Sequence, residues 1–288
     1  MNKFILSARP KQILKNCVVF VPLIFTLDQW VQNESSNVII NNILCFLAFS
    51  CSSIIGYQIN DWIDKKYDKD HPIKKSRPIA NNKINIKELY VFVSIVFAVG
   101  LVCASLVNFY VTVLFIFYII FGFFYTVKLK NLVLIDSISI TIFYIIRMVA
   151  GAYSITLNIS IWLYILTFFA SLLLIFIKRT SETNKGTFRN KKIVVFYRGL
   201  SNFKIRIFLL FINILAYSIY AITEIVSNQR NFSFILTILF FSTGIVRYFL
   251  VTKENNKGES PELIVISDYM IQISVAMYLT TIFFSELY

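Results

Sequence analysis

Nine long apolar segments follow one another along the 288 residues, and they restrict the fold more than any other feature. A membrane-spanning helix requires about 20 consecutive apolar residues. Hydrophobic residues make up 57% of the chain and aromatic residues 17%, which exceeds the content of an ordinary soluble domain. The sequence therefore predicts an all-α, polytopic membrane bundle of about nine transmembrane helices, forming one domain over 1–288. The predicted spans are about 17–31, 37–58, 88–107, 110–126, 132–153, 158–177, 205–224, 232–252 and 269–286.

Basic residues divide between the two sides of this predicted bundle. Nearly all Lys and Arg residues lie at the N-terminus, in loops after even-numbered spans, or towards the ends of the spans that border those loops; Arg147, inside the fifth span, and Arg230, on the opposite side, do not. Loops rich in Lys and Arg stay in the cytoplasm. This rule explains the net charge of +13 without a nucleic-acid partner. We therefore expect a bacterial inner (plasma) membrane protein with a cytoplasmic N-terminus. The same rule supports the weakest span, 17–31, whose apolar run is short and contains Pro22.

A group of acidic residues begins where the second span ends. On a helix, Asp61, Asp64 and Asp68 share one face and Asn60 lies at its edge, because positions three and four residues apart are neighbours. Hard oxygen ligands suit Mg²⁺, which takes one or two carboxylates and is completed by water and substrate phosphates. We expect these four residues at a metal site that faces water. The alternative is a solvated helix face neutralised by neighbouring lysines.

Basic side chains surround these acids on the predicted cytoplasmic side. Carboxylates for a metal, ringed by Lys and Arg, can hold a polyphosphate through Mg²⁺ and match its remaining charge. For Arg9, Lys74 and Lys75, a topology signal or contact with anionic lipids explains the charge equally well. The basic candidates for binding substrate phosphates are Lys15, Lys74, Arg77, Lys128, Lys130, Lys178 and Arg179.

Two ionisable residues, Asp136 and Arg147, lie inside the fifth span. Such charges are costly unless they face the bundle interior, a partner or water, and they often mark function. The two are separated by about three helical turns, so both point to the same side. Asp136 lies near the cytoplasmic end, where it can join Asp61 on a shared metal. Arg147 lies deeper, where a lipid phosphate or a partner carboxylate is the expected counter-ion. Ion pairs that only fix helix packing are the alternative.

These motifs together resemble a known family. Asn60-Asp61-x-x-Asp64-x-x-x-Asp68 resembles the first aspartate motif of the UbiA superfamily of intramembrane prenyltransferases, helical bundles whose active site opens to the cytoplasm. Further motifs look like the decaprenyl-phosphate phosphoribosyltransferase branch and extend over nearly the whole chain. They are Ala8-Arg9-Pro10-x-Gln12, His71-Pro72-x-Lys74-x-x-Arg77-Pro78, Tyr125-x-x-x-Leu129-Lys130, Arg147-x-x-Ala150-Gly151, Lys178-Arg179-x-x-Glu182 and Ser260-Pro261-Glu262 with Asp268.

The resemblance implies an Mg²⁺-dependent transfer of 5-phosphoribose from phosphoribosyl pyrophosphate (PRPP) to a polyprenyl phosphate, with release of pyrophosphate at the cytoplasmic face. On this interpretation Asp61, Asp64 and Asp136 are catalytic. The residues expected to bind substrate, besides the basic ones above, are Asn60, Tyr125 and Arg147.

Two other functions stay open at this point. One is a prenyltransferase that moves a polyprenyl group from its diphosphate to an aromatic or other acceptor. It is disfavoured because Ile140 stands four residues after Asp136, where many family members carry the second aspartate of a second motif. The other is a transporter, disfavoured because few of the eight Gly and five Pro residues interrupt a span. The single histidine, His71, is a candidate catalyst or a loop residue. The sequence leaves the oligomeric state open, and a homo-oligomer is compatible with it.

Overall fold

The computed structural model describes residues 3–26, 30, 35–70, 74–156, 160–184, 191–198, 200–227, 230–255 and 261–287. Within these residues the chain is helical and contains no β-strand. The predicted all-α fold class is therefore confirmed.

Two compact units make up the chain, Met1–Ser139 with Phe143–Ile159, and Ile140–Ile142 with Ser160–Tyr288. One domain over 1–288 stays a prediction. In the first unit, α4 (Ser35–Ile63) packs against α6 (Ile86–Val107) and α7 (Phe109–Val127). The 3₁₀ segments of this unit are Leu14–Phe20, Lys74–Ser76 and Leu129–Asn131. Its helices are α1 (Lys3–Ala8), α2 (Pro10–Ile13), α3 (Val21–Phe25), α4 (Ser35–Ile63), α5 (Lys65–Asp70), α6 (Ile86–Val107), α7 (Phe109–Val127) and most of α8 (Ile135–Ile155).

The second unit is built around contacts of α11 (Leu200–Val226) with α9 (Ile161–Asn184) and α12 (Leu236–Asn255), and of α12 with α14 (Tyr269–Leu287). The Tyr217 ring of α11 stacks on Phe241 of α12 with 4.3 Å between ring centroids, and its hydroxyl donates to the Tyr278 hydroxyl of α14 at 3.1 Å. These contacts join three helices. The helices are α9 (Ile161–Asn184), α10 (Lys191–Arg198), α11 (Leu200–Val226), α12 (Leu236–Asn255, preceded by the 3₁₀ segment Phe232–Ile235), α13 (Pro261–Ser267) and α14 (Tyr269–Leu287).

Among the described residues, seven of the nine predicted spans correspond to helices long and apolar enough to cross a membrane: α4, α6, α7, α8, α9, α11 and Phe232–Lys253, which contains α12. The last predicted span matches a shorter apolar segment, Tyr269–Ser285. The first, 17–31, contains a 3₁₀ segment and the short α3 in place of a long helix, although 27–29 and 31–34 lie outside the described residues. Pro22 lacks the N–H that a longer helix requires. The count of nine is thus not confirmed.

Gly151 of α8 lies directly against the backbone of the segment Leu14–Phe20. A Cβ at this position would lie 2.1 Å from the carbonyl oxygen of Val19. Asn42 of α4 holds the two backbones together, because its Nδ2 donates to the carbonyl oxygens of Val19 at 3.3 Å and Gly151 at 3.2 Å. Only a residue without a side chain fits this contact.

Gly151→Ala is therefore expected to lower the free energy of unfolding by about 2–3 kcal/mol, since the backbones must separate. Thermal unfolding in detergent measures the change. Gly56→Ala is the matched control, because a Cβ at Gly56 of α4 meets nothing within 4 Å. That control should be neutral or slightly stabilising. Equal behaviour of the two variants would contradict the contact.

Candidate active site

A small hydrophobic cluster covers the end of α4 where the acidic residues lie. Ile79, Ile84 and Leu89 are buried together, and Phe4 of α1 and Trp62 of α4 pack against them. The loop between α5 and α6 is thereby held against both α1 and the last turn of α4. Burial of this apolar area stabilises the arrangement by about 25 cal/mol per Å².

Two side-chain hydrogen bonds fix α1 to α4 beside this cluster. Ser7 Oγ donates to Gln58 Oε1 at 2.6 Å, and Gln58 Nε2 donates to the Ser7 carbonyl oxygen at 2.9 Å. The covering segments exclude water, so that Asp61 is 2% exposed and Asp68 4%. The prediction that the carboxylates face water is wrong for these two residues. Asp64 keeps 22% of its side chain exposed.

Arg77 lies between the two buried carboxylates. Its Nη1 donates to Asp61 Oδ1 at 3.0 Å and to Asp68 Oδ2 at 2.6 Å. Asp61 accepts a second hydrogen bond from Arg9 Nη2. The Arg9 backbone adopts the left-handed conformation with φ 53°, which costs about 1–2 kcal/mol for a residue of this type. Its guanidinium also lies 5.1 Å from the centroid of the Tyr57 ring. Two arginines therefore hold the buried acids.

Asp64, between the end of α4 at Ile63 and the start of α5 at Lys65, has a different cation. Lys130 Nζ, from the segment after α7, donates to Asp64 Oδ1 at 2.8 Å and Oδ2 at 2.7 Å. The same nitrogen donates to Asn60 Oδ1 at 3.2 Å. The predicted single face therefore divides into two ion-paired groups, which we call together the acid cluster: Asn60, Asp61, Asp64 and Asp68.

The acid cluster supplies the oxygen ligands that Mg²⁺ prefers. In the part of the chain that the structure describes, no three Asp, Glu, His or Cys side chains lie close enough to hold a metal ion together. Two pairs nevertheless converge, each on one nitrogen: Asp61 with Asp68 on Arg77, and Asn60 with Asp64 on Lys130. Because Mg²⁺ takes only one or two carboxylates, either pair fits the ion once its cation has moved away.

A cleft of about 280 Å³ opens beside Asp61 and adjoins the two arginines. Three basic side chains, Arg9, Lys74 and Arg77, lie on its wall with this single carboxylate. The remaining lining residues are Leu6, Ser7, Gln12, Ser76 and Pro78. The basic side chains on this wall suit a ligand with more than one phosphate.

Asp136 is fully buried in the first turn of α8. The hydroxyl of Tyr125, at the end of α7, donates to its Oδ1 at 2.8 Å. A carboxylate in the first turn of a helix is also favoured by the helix dipole. The structure thus joins two residues that the sequence predicted for the site. That Asp136 and Asp61 bind the same metal ion stays a prediction.

Arg147 is buried in α8 among neutral polar groups. Its Nη2 donates to the Tyr118 hydroxyl and, at 3.4 Å, to Ser53 Oγ, while Nη1 donates to the Phe143 carbonyl oxygen at 3.4 Å. Ser53 Oγ donates in turn to Asn16 Oδ1 at 3.0 Å. Within the described residues, no carboxylate pairs with Arg147, and its Nε lacks a hydrogen-bond partner. A lipid phosphate as the counter-ion of Arg147 stays a prediction.

The other predicted residues have varied surroundings. Lys15 is half-buried in the segment Leu14–Phe20, whereas Lys128 is exposed at the end of α7. In the second unit, Glu182 accepts from Arg179 at 2.5 Å and lies 3.7 Å from Lys178. Both basic residues stay candidates for substrate phosphates. His71, Ser260 and the side chains of Pro261 and Glu262 lie outside what the structure describes.

The sequence alone assigns no site role to two residues that contact the predicted site residues. For Arg9, a topology signal or contact with anionic lipids explains the charge equally well, yet Arg9 bonds to Asp61. No sequence motif includes Tyr118, yet Tyr118 bonds to Arg147. A signal for such partners exists, because a charge within a span requires polar side chains on neighbouring spans. The serines at 50, 52 and 53 in the second span are such a set.

Comparisons with curated proteins give relatives over nearly the full length. The chain is 22% identical to decaprenyl-phosphate phosphoribosyltransferase of Mycobacterium tuberculosis (strain ATCC 25618 / H37Rv), covering 96% of this chain and 91% of that protein. It is 23% identical to the protein of the same name from Mycolicibacterium smegmatis, covering 98% and 92%.

Solved structures share the fold. A UbiA homologue from Archaeoglobus fulgidus, bound to GPP and Mg²⁺, superposes with a TM-score of 0.74 at 16% identity, and all of each chain is covered. The model of the UbiA prenyltransferase family matches residues 19–267. Together with seven helices that can cross a membrane, this identifies an integral membrane protein. The chain belongs to the UbiA prenyltransferase family.

Proposed function

We propose that this protein transfers 5-phosphoribose from PRPP to a polyprenyl phosphate, with release of pyrophosphate, at the cytoplasmic face of a bacterial inner membrane. The observation that carries the proposal is the cleft in which Arg9, Lys74 and Arg77 meet around Asp61. PRPP carries a 5-phosphate at one end and a pyrophosphate at the other. A prenyl diphosphate has one charged end and an apolar tail. Three basic groups in an open cleft match the first kind of donor better.

The relatives support this choice of donor. The two mycobacterial proteins that match along nearly their whole length are both called decaprenyl-phosphate phosphoribosyltransferase. The chain also has Ile140 where many prenyltransferases carry an aspartate of a second motif. The missing second aspartate weakens the case for a prenyl diphosphate donor.

The acid cluster would hold Mg²⁺ together with the pyrophosphate of the donor, as the fit of its oxygen pairs allows. The bound ion supplies positive charge to the leaving pyrophosphate. Arg9 and Arg77 already lie in the cleft and would bind the remaining phosphate oxygens. Lys130, 18% exposed, would do the same beside Asp64.

The chemical step forms one bond and breaks one. An oxygen of the polyprenyl phosphate bonds to C1 of the ribose, the bond from C1 to the pyrophosphate oxygen breaks, and its electron pair leaves with pyrophosphate. A phosphate monoester with a second pKa of about 6 is mostly dianionic at neutral pH, so the acceptor needs no general base. Arg147 and Tyr118 would hold this phosphate, while the hydrogen-bonded pair Tyr125 and Asp136 would orient the reacting groups.

The proposal is tested with purified protein, Mg²⁺, polyprenyl phosphate and PRPP radiolabelled in the ribose. Label should move into the organic phase, and EDTA should prevent this. A prenyltransferase would leave the label in water and would consume prenyl diphosphate when given an aromatic acceptor. That second result, with protein shown to be folded, would overturn the phosphoribosyl assignment.

A further inference from the structure

Each carboxylate of the acid cluster already has a cation in contact. Asp61 bonds to both Arg9 and Arg77, Asp68 bonds to Arg77, and Asp64 bonds to Lys130. Three negative charges are thus matched by three positive charges. A divalent ion cannot enter either oxygen pair unless a cation leaves it, because each pair converges on the nitrogen of that cation.

Two of the three cations have direct access to the cleft where a donor would bind, and Lys130 is partly exposed beside Asp64. Arg9 and Arg77 line the cleft, and their side chains are 17% and 23% exposed, whereas the carboxylate of Asp61 is 2% exposed. A small rotation of either guanidinium therefore exchanges a buried carboxylate for a phosphate in the cleft. The charged ends can move while the acid cluster stays in place.

We propose that Arg9, Arg77 and Lys130 are exchangeable counter-ions, which release the acid cluster to Mg²⁺ and transfer to the donor phosphates when the two ligands bind together. This inference rests on the proposed function, since it takes PRPP as the donor. It assigns Arg9 to the donor site and makes the binding of metal and donor mutually dependent.

Electrostatics requires the two ligands to bind together. Mg²⁺ alone would displace an arginine from buried carboxylates and leave that arginine without a partner, which is strongly unfavourable. PRPP alone would bring phosphates close to negative carboxylates. When both bind, the carboxylates contact the metal and the arginines contact phosphate oxygens, so that every charge is matched. The coupling must be reciprocal, as for any two ligands of one protein.

The test uses two binding measurements on delipidated protein in detergent. The affinity for Mn²⁺ alone, as a stand-in for Mg²⁺, is obtained from the electron paramagnetic resonance signal of the free ion. The affinity for radiolabelled PRPP is obtained by equilibrium dialysis with Mn²⁺ or with EDTA. For the unmodified protein, we expect EDTA to weaken PRPP binding by at least about tenfold, a loss of 1.4 kcal/mol.

Arg77→Gln should shift the two affinities in opposite directions. Mn²⁺ alone should bind about tenfold more tightly, because Asp61 and Asp68 lose the competing charge, and PRPP should bind about tenfold more weakly. Lys130→Gln should act in the same way through Asp64. Lys66→Gln is the matched control, since Lys66 is an exposed lysine of α5 that makes no hydrogen bond or ion pair with the acid cluster within the described residues, and it should change neither affinity.

A purely structural role for the cations predicts that both affinities fall together in Arg77→Gln and Lys130→Gln, and that result would overturn the exchange. If Arg77→Gln fails to fold, Lys130→Gln still tests the exchange. Its partner Asp64 is partly exposed, so this variant leaves no fully buried carboxylate without a cation. The phosphoribosyl assignment is judged separately. A wild-type protein that transfers labelled ribose while its variants lose both affinities contradicts only the exchange. A wild-type protein that transfers no labelled ribose contradicts the proposed function.

Discussion

Asp64→Asn is expected to lower turnover by at least about a thousandfold, which corresponds to roughly 4 kcal/mol of transition-state stabilisation. The reason is that one oxygen ligand for the metal and the partner of Lys130 are lost together. The melting temperature in detergent should change little, because the Asp64 side chain is 22% exposed and its replacement leaves no deeply buried charge. Transfer of labelled ribose to lipid and thermal unfolding are the two measurements.

Two further variants serve as comparisons for Asp64→Asn. Asp70→Asn removes a negative charge from an exposed position at the end of α5 and should leave turnover unchanged. Asp61→Asn should lose turnover and also about 3–5 kcal/mol of stability, because it leaves two arginines at a buried site with one carboxylate fewer. Full activity of Asp64→Asn would contradict a metal site in the acid cluster. An equal loss of turnover in Asp64→Asn and Asp70→Asn would contradict it as well.

Arg147→Met is expected to lower kcat/KM for the polyprenyl phosphate by about a hundredfold, because a hydrogen-bonded charge for the acceptor is lost. The affinity for PRPP should not change. Stability should be kept or should rise, since the variant removes a buried charge that has no carboxylate partner within the described residues. Initial rates at varied lipid concentration, PRPP dialysis and thermal unfolding separate these effects.

Arg147→Lys is the matched control for this prediction. It keeps the positive charge but loses the forked geometry that contacts Tyr118 and Ser53, so an intermediate loss of kcat/KM is expected. If Arg147 serves packing alone, both variants should lower the melting temperature and leave kcat/KM for the lipid unchanged. That pattern would remove Arg147 from the acceptor site.

The fold class could be read from the sequence because apolar segments of sufficient length leave few alternatives in a membrane. Seven predicted spans therefore correspond to long helices. The first span could not be predicted, because hydropathy does not distinguish a continuous helix from the short helical segments found at Leu14–Phe20 and Val21–Phe25. The close contact of Gly151 with Val19 that accompanies these segments is a tertiary feature.

The composition of the site was also partly predictable. Spacing placed Asp61, Asp64 and Asp68 at one helix end, and the structure brings Arg77 and Lys130 to them as expected. Their burial was not predictable, because it depends on the loop and on α1, which cover the end of α4 through distant contacts such as Ser7 with Gln58. Pairwise spacing says nothing about which carboxylate receives which cation.

Doubly labelled PRPP, with ¹⁴C in the ribose and ³²P in either the 5-phosphate or the pyrophosphate, tests phosphoribosyl transfer most directly. With polyprenyl phosphate and Mg²⁺, the lipid product should contain ¹⁴C and the 5-phosphate label in equal amounts, and the pyrophosphate label should stay in water as free pyrophosphate. Asp64→Asn should give neither lipid label. Pyrophosphate label in the lipid, or consumption of prenyl diphosphate with no ribose in the lipid, would contradict phosphoribosyl transfer.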